Sequence, residues 1–254
     1  MAANSLIPLI LSFGPRLDVV DKPGGEGAGR SYVSFVAGLH PGPTLTQVEG
    51  SQFGLQVYLT PLGAYQILGI PGAALAHRVV EPEAVAPGLA GSLPDHLASL
   101  PTWAERFAVV DDVLLRMADR GPAPDPLVSW MWRRLQDSGG RITVAELVRK
   151  SGWSHRHVTT RFREQVGLTP KAASRVIRFE RAAVSLASGA PALADIAARS
   201  GYADQSHLTR EFVRLAGDTP ARFATAPGGR TSPHGALGQI PSRTDRSLAP
   251  TVGA

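Results

Sequence analysis

The polar side chains of one short segment near the C-terminal end have the chemistry of base recognition. Five of them stand within six positions: Gln205, Ser206, His207, Thr209 and Arg210. Amide, hydroxyl, imidazole and guanidinium groups on one helix can donate hydrogen bonds to base edges in the major groove of DNA. The segment therefore predicts a nucleic-acid reading surface, with ordinary solvated side chains as the alternative.

Two short amphipathic helices are needed to position this segment, between Ala192 and Gly217. Apolar residues follow helical spacing on both sides of a break: Leu193, Ile196 and Ala197 before it, and Leu208, Phe212 and Leu215 after it. The break is Gly201-Tyr202. Glycine can adopt the positive φ that ends a helix, and the tyrosine ring can fill the corner between the helices. The pattern predicts a helix-turn-helix unit.

The same unit occurs earlier, from Val144 to Gly167, so the chain contains an internal repeat. Gly152-Trp153 matches Gly201-Tyr202, and Phe162 matches Phe212 as a core residue. The first copy is one residue shorter between its glycine and its phenylalanine. Each copy ends on Gly-x-Thr-Pro, at residues 167–170 and 217–220, where threonine can cap a following helix and proline suits its first turn.

The segment from Ile142 to Phe223 resembles the tandem helix-turn-helix DNA-binding domain of the AraC/XylS family of transcription regulators. The residues that carry the resemblance are Ile196-Ala197, Gly201-Tyr202, Asp204, Ser206-His207, Thr209-Arg210, Phe212 and Gly217 to Phe223. The resemblance implies double-stranded DNA as the partner. It further implies RNA polymerase and a small-molecule effector as partners to be tested, in a monomer or a homodimer.

The resemblance also assigns roles to residues of both copies. The expected base contacts are Arg156, Thr159, Thr160, Gln205, Ser206, His207, Thr209 and Arg210. The expected phosphate contacts are Ser154, Arg161 and Arg163, and the structural turns are Gly152, Trp153, Gly201 and Tyr202. We expect Ser154 and Asp204 to cap the recognition helices as well, and both turn aromatics to be buried in the core.

Charge is distributed unevenly along the chain. Residues 1–140 carry nine Lys/Arg and thirteen Asp/Glu, a net charge of −4, whereas residues 141–223 carry fourteen and seven, a net charge of +7. A positive second half fits a surface that neutralises phosphates, although a solvated basic face would give the same count.

The first 60 residues predict strands, at Leu6 to Phe13, Leu17 to Val20, Ser31 to Leu39, Thr44 to Val48 and Phe53 to Thr60. An antiparallel sheet with one buried face fits them. The stretch Gly24 to Gly29 lacks the Lys-Ser/Thr of a phosphate-binding loop, so we expect a hairpin loop. Helical spacing follows at Gly63 to Leu68, Pro71 to Leu75, Trp103 to Asp119 and Pro126 to Gln136.

The N-terminal half resembles the sensory domain of an actinobacterial-type subgroup of the same regulators, through residues 56–71, Arg78-Val-Val and Trp103 to Phe107. That domain is a small β-barrel with more chain ahead of it than stands before Leu6 here, so we expect a partial barrel. The expected fold class is α+β. The expected domains are a β-rich sensory domain (1–100), a helical connector (101–140), an all-α double helix-turn-helix domain (141–223) and a disordered tail (224–254).

Catalytic, metal and cofactor sites are not indicated. The seven histidines form no metal-ligand motif, no Gly-x-Ser-x-Gly elbow occurs, and cysteine is absent. No apolar run is long enough for a membrane span, and we expect a cytoplasmic protein. Two functions remain open: a sequence-specific regulator controlled by an effector, or an architectural, non-specific DNA binder with a degenerate sensory domain.

Overall fold

The computed structural model describes residues 2–13, 16–21, 29–48, 53–89, 91–189 and 192–225. The expected tail lies outside these residues apart from its first two positions, 224 and 225. The expected hairpin loop at Gly24 to Gly29 also lies outside them, except for Gly29.

Two antiparallel sheets form the first part of the chain. Seven strands build them: β1 Ile7–Ser12, β2 Leu17–Asp21, β3 Arg30–Tyr32, β4 Phe35–Ala37, β5 Leu45–Val48, β6 Gly54–Leu59 and β7 Val79–Val80. The larger sheet has the order β6-β1-β4-β7 and the smaller one the order β3-β2-β5. In the larger sheet Leu9 pairs with both Val57 and Val36, which makes β1 one of its two inner strands. This arrangement confirms an antiparallel N-terminal region.

Eleven α-helices are present in the described ranges, besides two short 3-10 helices at Pro82–Ala84 and Pro87–Leu89. Five belong to the first part of the chain or join it to the second: α1 Pro61–Leu68, α2 Gly72–Leu75, α3 Leu93–Ser99, α4 Trp103–Arg120 and α5 Pro126–Asp137. Six follow: α6 Val144–Ser151, α7 His155–Val166, α8 Pro170–Ala187, α9 Leu193–Arg199, α10 Gln205–Ala216 and α11 Pro220–Thr225. The predicted α+β class, with an all-α C-terminal part, is therefore confirmed.

Local capping explains where several helices begin. Thr143 and Glu146 form a capping box at the start of α6, in which each side chain accepts a hydrogen bond from the other residue's backbone N–H. At the start of α8, Thr169 Oγ1 accepts a hydrogen bond from the Ala172 N–H at 3.2 Å, and Pro170 follows as the first helical residue. The Thr-Pro motif after the first copy thus starts a helix, as predicted.

Two sequence predictions need correction in the N-terminal half. The single strand expected from Ser31 to Leu39 is divided into β3 and β4, which belong to different sheets. Ser34 lies at the division, where its hydroxyl accepts a hydrogen bond from the Ser12 N–H at 3.1 Å. Helix α3 was not predicted, because it is short and contains Pro94 and His96.

The N-terminal half packs directly on the helices that follow it. The Ala3 N–H donates to the Leu215 carbonyl at 2.8 Å, and the Ser5 N–H donates to Glu180 Oε1 at 2.8 Å. At a second contact, Gly72 of α2 lies so close to the end of α7 that a Cβ there would be 2.3 Å from the Gln165 carbonyl oxygen. Only glycine permits this backbone approach.

Helix α5 belongs to the core of the C-terminal half. Val128, Met131 and Leu135 are fully buried, and the Trp132 ring lies 6.3 Å from that of Phe162. The predicted boundary at residue 141 therefore separates a helix from the core into which it packs, and we propose residue 125 as the start of this unit. None of the helices in the described ranges combines the length and apolar character that a bilayer crossing needs.

Candidate nucleic-acid interface

Both helix-turn-helix units turn at a glycine with left-handed backbone. Gly152 is the C-cap of α6 with φ +72°, and Gly201 follows α9 with φ +78°. Non-glycine residues are strained there, which explains the glycine in each copy. The recognition helices begin at side-chain caps: Ser154 accepts a hydrogen bond from the His157 N–H, and Asp204 accepts one from the His207 N–H. The predicted caps are confirmed.

The aromatic residue after the glycine differs between the copies. Tyr202 is 5% exposed, and burial raises the pKa of its phenol. Arg178 of α8 lies 5.6 Å from the centre of its ring. Trp153, by contrast, is 54% exposed. The prediction of a buried corner ring is thus confirmed for Tyr202 and wrong for Trp153, because in the first copy the helix cap follows the aromatic residue directly.

Seven of the predicted contact residues are solvent-exposed. They are Ser154, Arg156, Thr160 and Arg163 in the first copy and Gln205, Ser206 and Arg210 in the second. Arg156, Thr160 and Arg163 follow the i, i+4, i+7 spacing of one helix face. Each recognition helix therefore offers a polar, basic face opposite its buried phenylalanine, Phe162 or Phe212.

Two threonines and one histidine make contacts within the protein. The hydroxyl of Thr159 is enclosed, and Thr209 donates its hydroxyl hydrogen to the Gln205 carbonyl at 2.9 Å. The prediction that the Thr159 hydroxyl reaches a base conflicts with this burial. His207 is half-buried; its Nδ1 accepts a hydrogen bond from the Ala203 N–H, which leaves Nε2 as the donor of the neutral ring.

An ion pair joins the first recognition helix to the start of α5. Arg161 of α7 donates from Nη2 and Nε to Asp125 Oδ2, at 2.8 and 3.1 Å. Asp125 also caps α5 by accepting from the Leu127 N–H. Burial alone would raise the pKa of Asp125, but the Leu127 N–H and the guanidinium outweigh it, and the pKa lies below its usual value. The expected phosphate contact of Arg161 thus competes with a partner inside the protein.

A second ion pair holds α10 in the corresponding place. Arg175 of α8 donates from Nε to Glu211 Oε2 at 2.8 Å and from Nη2 to Oε1 at 2.6 Å. Its side chains are better buried than those of the first pair, at 20% and 11% exposure against 43% and 17%. Burial alone would raise the pKa of Glu211. The hydrogen bonds and charge of the Arg175 guanidinium outweigh this effect, so the pKa of Glu211 lies below its usual value.

The two ion pairs occupy equivalent positions of the repeat with opposite polarity. In each copy the partners are 36 residues apart, and the residue on the recognition helix directly precedes the core phenylalanine. The first recognition helix supplies the cation and the second supplies the anion. Sequence reasoning missed both pairs, although this repeated spacing of opposite charges was the signal that could have found them.

A metal site is not apparent among the residues that the structure describes, where no three His, Asp or Glu side chains come together. The helical half instead defines the class of protein: it contains two helix-turn-helix units, each with a capped recognition helix that exposes polar and basic side chains. Residues 147–226 match the family described as a helix-turn-helix domain.

Comparison with known proteins supports this class. The chain is 32% identical over 97 residues to the probable transcription factor PqrA of Proteus vulgaris, covering 38% of this chain and 79% of that protein. It is 35% identical over 86 residues to the F1 operon positive regulatory protein of Yersinia pestis, covering 34% and 29%. Against the longer curated relatives the match spans about a third of their length.

Most of the chain has a fold similar to that of ToxT of Vibrio cholerae O395, solved with (E)-4-(8-methylnaphthalen-1-yl)but-3-enoic acid. The likeness covers 88% of this chain and 92% of ToxT, with a TM-score of 0.52 and 12% identity. The chain belongs to the AraC/XylS family of transcription regulators. The resemblance of its N-terminal half to the actinobacterial-type subgroup stays a prediction.

Proposed function

We propose that the protein is a sequence-specific DNA-binding transcription regulator whose helices α7 and α10 read two neighbouring major-groove segments of one duplex. The repeat carries this proposal, because each copy ends a helix at a left-handed glycine and caps a recognition helix whose polar face is exposed. On each recognition helix one face is available to DNA, and the opposite face is buried in the core. We propose the cytoplasm as its location and RNA polymerase as a further partner.

The proposed base contacts are the exposed residues of the two polar faces. They are Arg156 and Thr160 in the first copy and Gln205, Ser206 and Arg210 in the second, with Nε2 of the half-buried His207 beside them. Thr159 and Thr209 lie on the same helices and are half-buried. Ser154 and Arg163 are proposed to contact phosphates, because both are exposed at a recognition helix.

The length of helix α8 supports the proposed spacing of the two recognition helices, α7 and α10. It has 18 residues, and at about 1.5 Å per residue it is roughly 27 Å long, close to one turn of DNA. Because α8 also contacts the second recognition helix through Arg175, it can hold the two readers at a fixed separation. One molecule would then cover two segments on one face of the duplex.

Selection of bound sequences from a random DNA pool tests the proposal. A sequence-specific regulator is expected to enrich two short conserved segments about one helical turn apart. Inserting five base pairs between the segments rotates one of them to the opposite face of the duplex and should abolish specific binding. Unchanged affinity after the insertion, or enrichment of no sequence at all, would favour the architectural binder.

We further propose the cavity between the two sheets as the site of an effector. Val19, Phe35 and Val79 line it together with His40 and residues 2–4, and its volume is about 50 Å³. Pockets that bind small molecules are typically about 300–1,000 Å³, so the cavity as it stands is too small for such a ligand. A bound effector would have to widen it. Support comes from ToxT, which was solved with a small organic acid.

Filling this cavity tests the effector site. Ala37 lines it, so Ala37→Leu should abolish the response of DNA binding to any compound that a screen identifies. Binding without the compound should stay unchanged. A full response in Ala37→Leu would place the effector elsewhere.

A further inference from the structure

Trp153 is a large aromatic side chain of the candidate interface that does not pack into the core. It is 54% exposed, whereas Tyr202 at the matching position is 5% exposed. In the first copy Ser154 caps the helix directly after the aromatic residue, but in the second copy Ala203 stands between Tyr202 and the cap, Asp204. The shorter turn leaves the indole outside the corner that the tyrosine fills.

The exposed indole is nevertheless held in one orientation. It stacks on the imidazole of His157 with ring centres 4.3 Å apart and an interplanar angle of 17°. The backbone of the turn is fixed as well, because the main-chain N–H of Trp153 donates to Ser151 Oγ at 3.2 Å and the left-handed Gly152 precedes it. Because the ring is already ordered, a partner that packs on it gains contact area at little cost in conformational entropy.

Trp153 lies at the start of the first recognition helix, directly before its N-cap residue. Its ring stacks on a side chain of the first turn of that helix and therefore stands beside the polar face. Arg156 and Thr160 on that face are exposed, and the exposed cations Arg149 and Lys150 lie just before the turn. An ordered indole among basic side chains suits a partner that offers both phosphates and apolar surface. Double-stranded DNA has both, in its backbone and in its sugars and thymine methyl groups.

We propose that Trp153 is an additional DNA-contacting residue of the first helix-turn-helix unit, with its indole packed on apolar surface of the duplex beside the segment that Arg156 and Thr160 read. This inference rests on the proposed function. The first helix-turn-helix unit would then have an aromatic contact with DNA that the second lacks, because Tyr202 is buried within its own unit.

The test compares full-length variants on the DNA sequence that the wild type selects from a random pool. Trp153→Ala should bind about tenfold more weakly, a contact of ordinary size for a buried aromatic. Its salt dependence should be unchanged, because no phosphate contact is lost. Trp153→Phe should keep most of the affinity. Phe107→Ala, which removes a 45% exposed aromatic side chain from α4, is the matched control and should bind as the wild type does.

DNA with deoxyuridine in place of thymine separates the two apolar surfaces. Loss of the methyl groups should weaken the wild type but not Trp153→Ala if the indole packs on a thymine. If it packs on deoxyribose, both proteins should bind the two DNAs in the same ratio. Once Trp153→Ala has shown the loss of affinity, the comparison identifies which surface the indole contacts.

Three outcomes tell the proposals apart. If the wild type enriches no sequence, the proposed function fails. If the wild type is selective and Trp153→Ala binds equally well, only the role of Trp153 is overturned. If Trp153→Ala binds weakly and also has a lower urea midpoint of unfolding than Trp153→Phe, the ring is structural and the inference is again overturned.

Discussion

The two helix-turn-helix units hold their recognition helices in the same way but expose different side chains. In both, a preceding helix holds the recognition helix by an ion pair next to a fully buried phenylalanine. The polarity of that pair is reversed between the copies, and the aromatic residue of the turn is buried in one copy and exposed in the other. The difference shows that a repeat can keep its packing while its charges and outward side chains diverge.

Reversed polarity also discourages wrong pairing of the repeated helices. If α5 packed on α10, Asp125 would face Glu211, and if α8 packed on α7, Arg175 would face Arg161. Like charges in those half-buried places are destabilising. The correct arrangement alone brings opposite charges together.

The largest expected effect comes from removing the helix that supports the first unit. A chain truncated to residues 141–254 lacks the buried Val128, Met131 and Leu135. Each buried aliphatic side chain contributes about 1.5–3 kcal/mol, so their loss approaches the whole stability of a small domain. We expect this chain to be unfolded by circular dichroism, while a chain of residues 123–254 is helical and binds the selected DNA. Equal helicity in the two chains would mean that α5 is dispensable.

Reversal of one charge in the second ion pair should have the next largest effect. Glu211→Arg places two guanidinium groups together in a largely buried site and should cost about 3 kcal/mol in the free energy of unfolding by urea. The double variant Arg175→Glu/Glu211→Arg should recover most of it. Val213→Arg, a substitution at a 48% exposed position of the same helix, should have little effect.

The same exchange in the first copy should be rescued only in part. Asp125 also caps α5, so Asp125→Arg loses the hydrogen bond from the Leu127 N–H even when Arg161→Asp restores the charge pair. Complete rescue in both copies would show that the cap contributes nothing. No rescue in either would show that shape, and not charge, joins these helices.

Base preference should change separately at the two units. Arg210→Ala should relax the preference at one or two base pairs of one segment by about 1–3 kcal/mol, and Arg156→Ala should do so in the other segment. Competition with single-base variants of the selected DNA measures this. Arg163→Ala is the contrast, because loss of a phosphate contact weakens all sequences alike and lowers the salt slope by about one. A uniform loss for Arg210→Ala would assign its guanidinium to a phosphate.

Acid should weaken both ion pairs, and its effect on the free energy of unfolding should be smaller than that of the charge reversals. The pKa values of Asp125 and Glu211 are lowered in the folded protein. Their contribution is therefore complete above the unfolded carboxyl pKa of about 4 and is lost as the pH falls through the lower folded value. The stability difference between the wild type and Arg175→Ala/Glu211→Ala should be constant from pH 7 to about pH 5 and shrink below it. A difference that persists at pH 2 would contradict an ionic origin.

Sequence reasoning found the elements whose signals are local. Helix α8 begins at Pro170 as predicted, because Thr169 and Pro170 mark its start. The glycine turns and the caps Ser154 and Asp204 were likewise predictable, since each depends on a few neighbouring residues.

Features that depend on distant residues were not predicted. The division of β3 from β4 involves Ser12, which lies 22 positions before Ser34. The ion pairs join residues 36 positions apart. The exposure of Trp153 follows from one missing residue in a turn, a difference that apolar spacing does not register.

The packing of the first residues has a consequence for how the protein melts. Ala2 and Ala3 belong to the same continuous cluster of buried residues as Phe212 and Phe223, and this cluster includes residues of the larger sheet and of both helix-turn-helix units. Because the two halves share part of their core, unfolding of one removes packing from the other, and the two unfold together in the full chain. We expect a single calorimetric transition for the full chain, with the van't Hoff enthalpy equal to the calorimetric enthalpy.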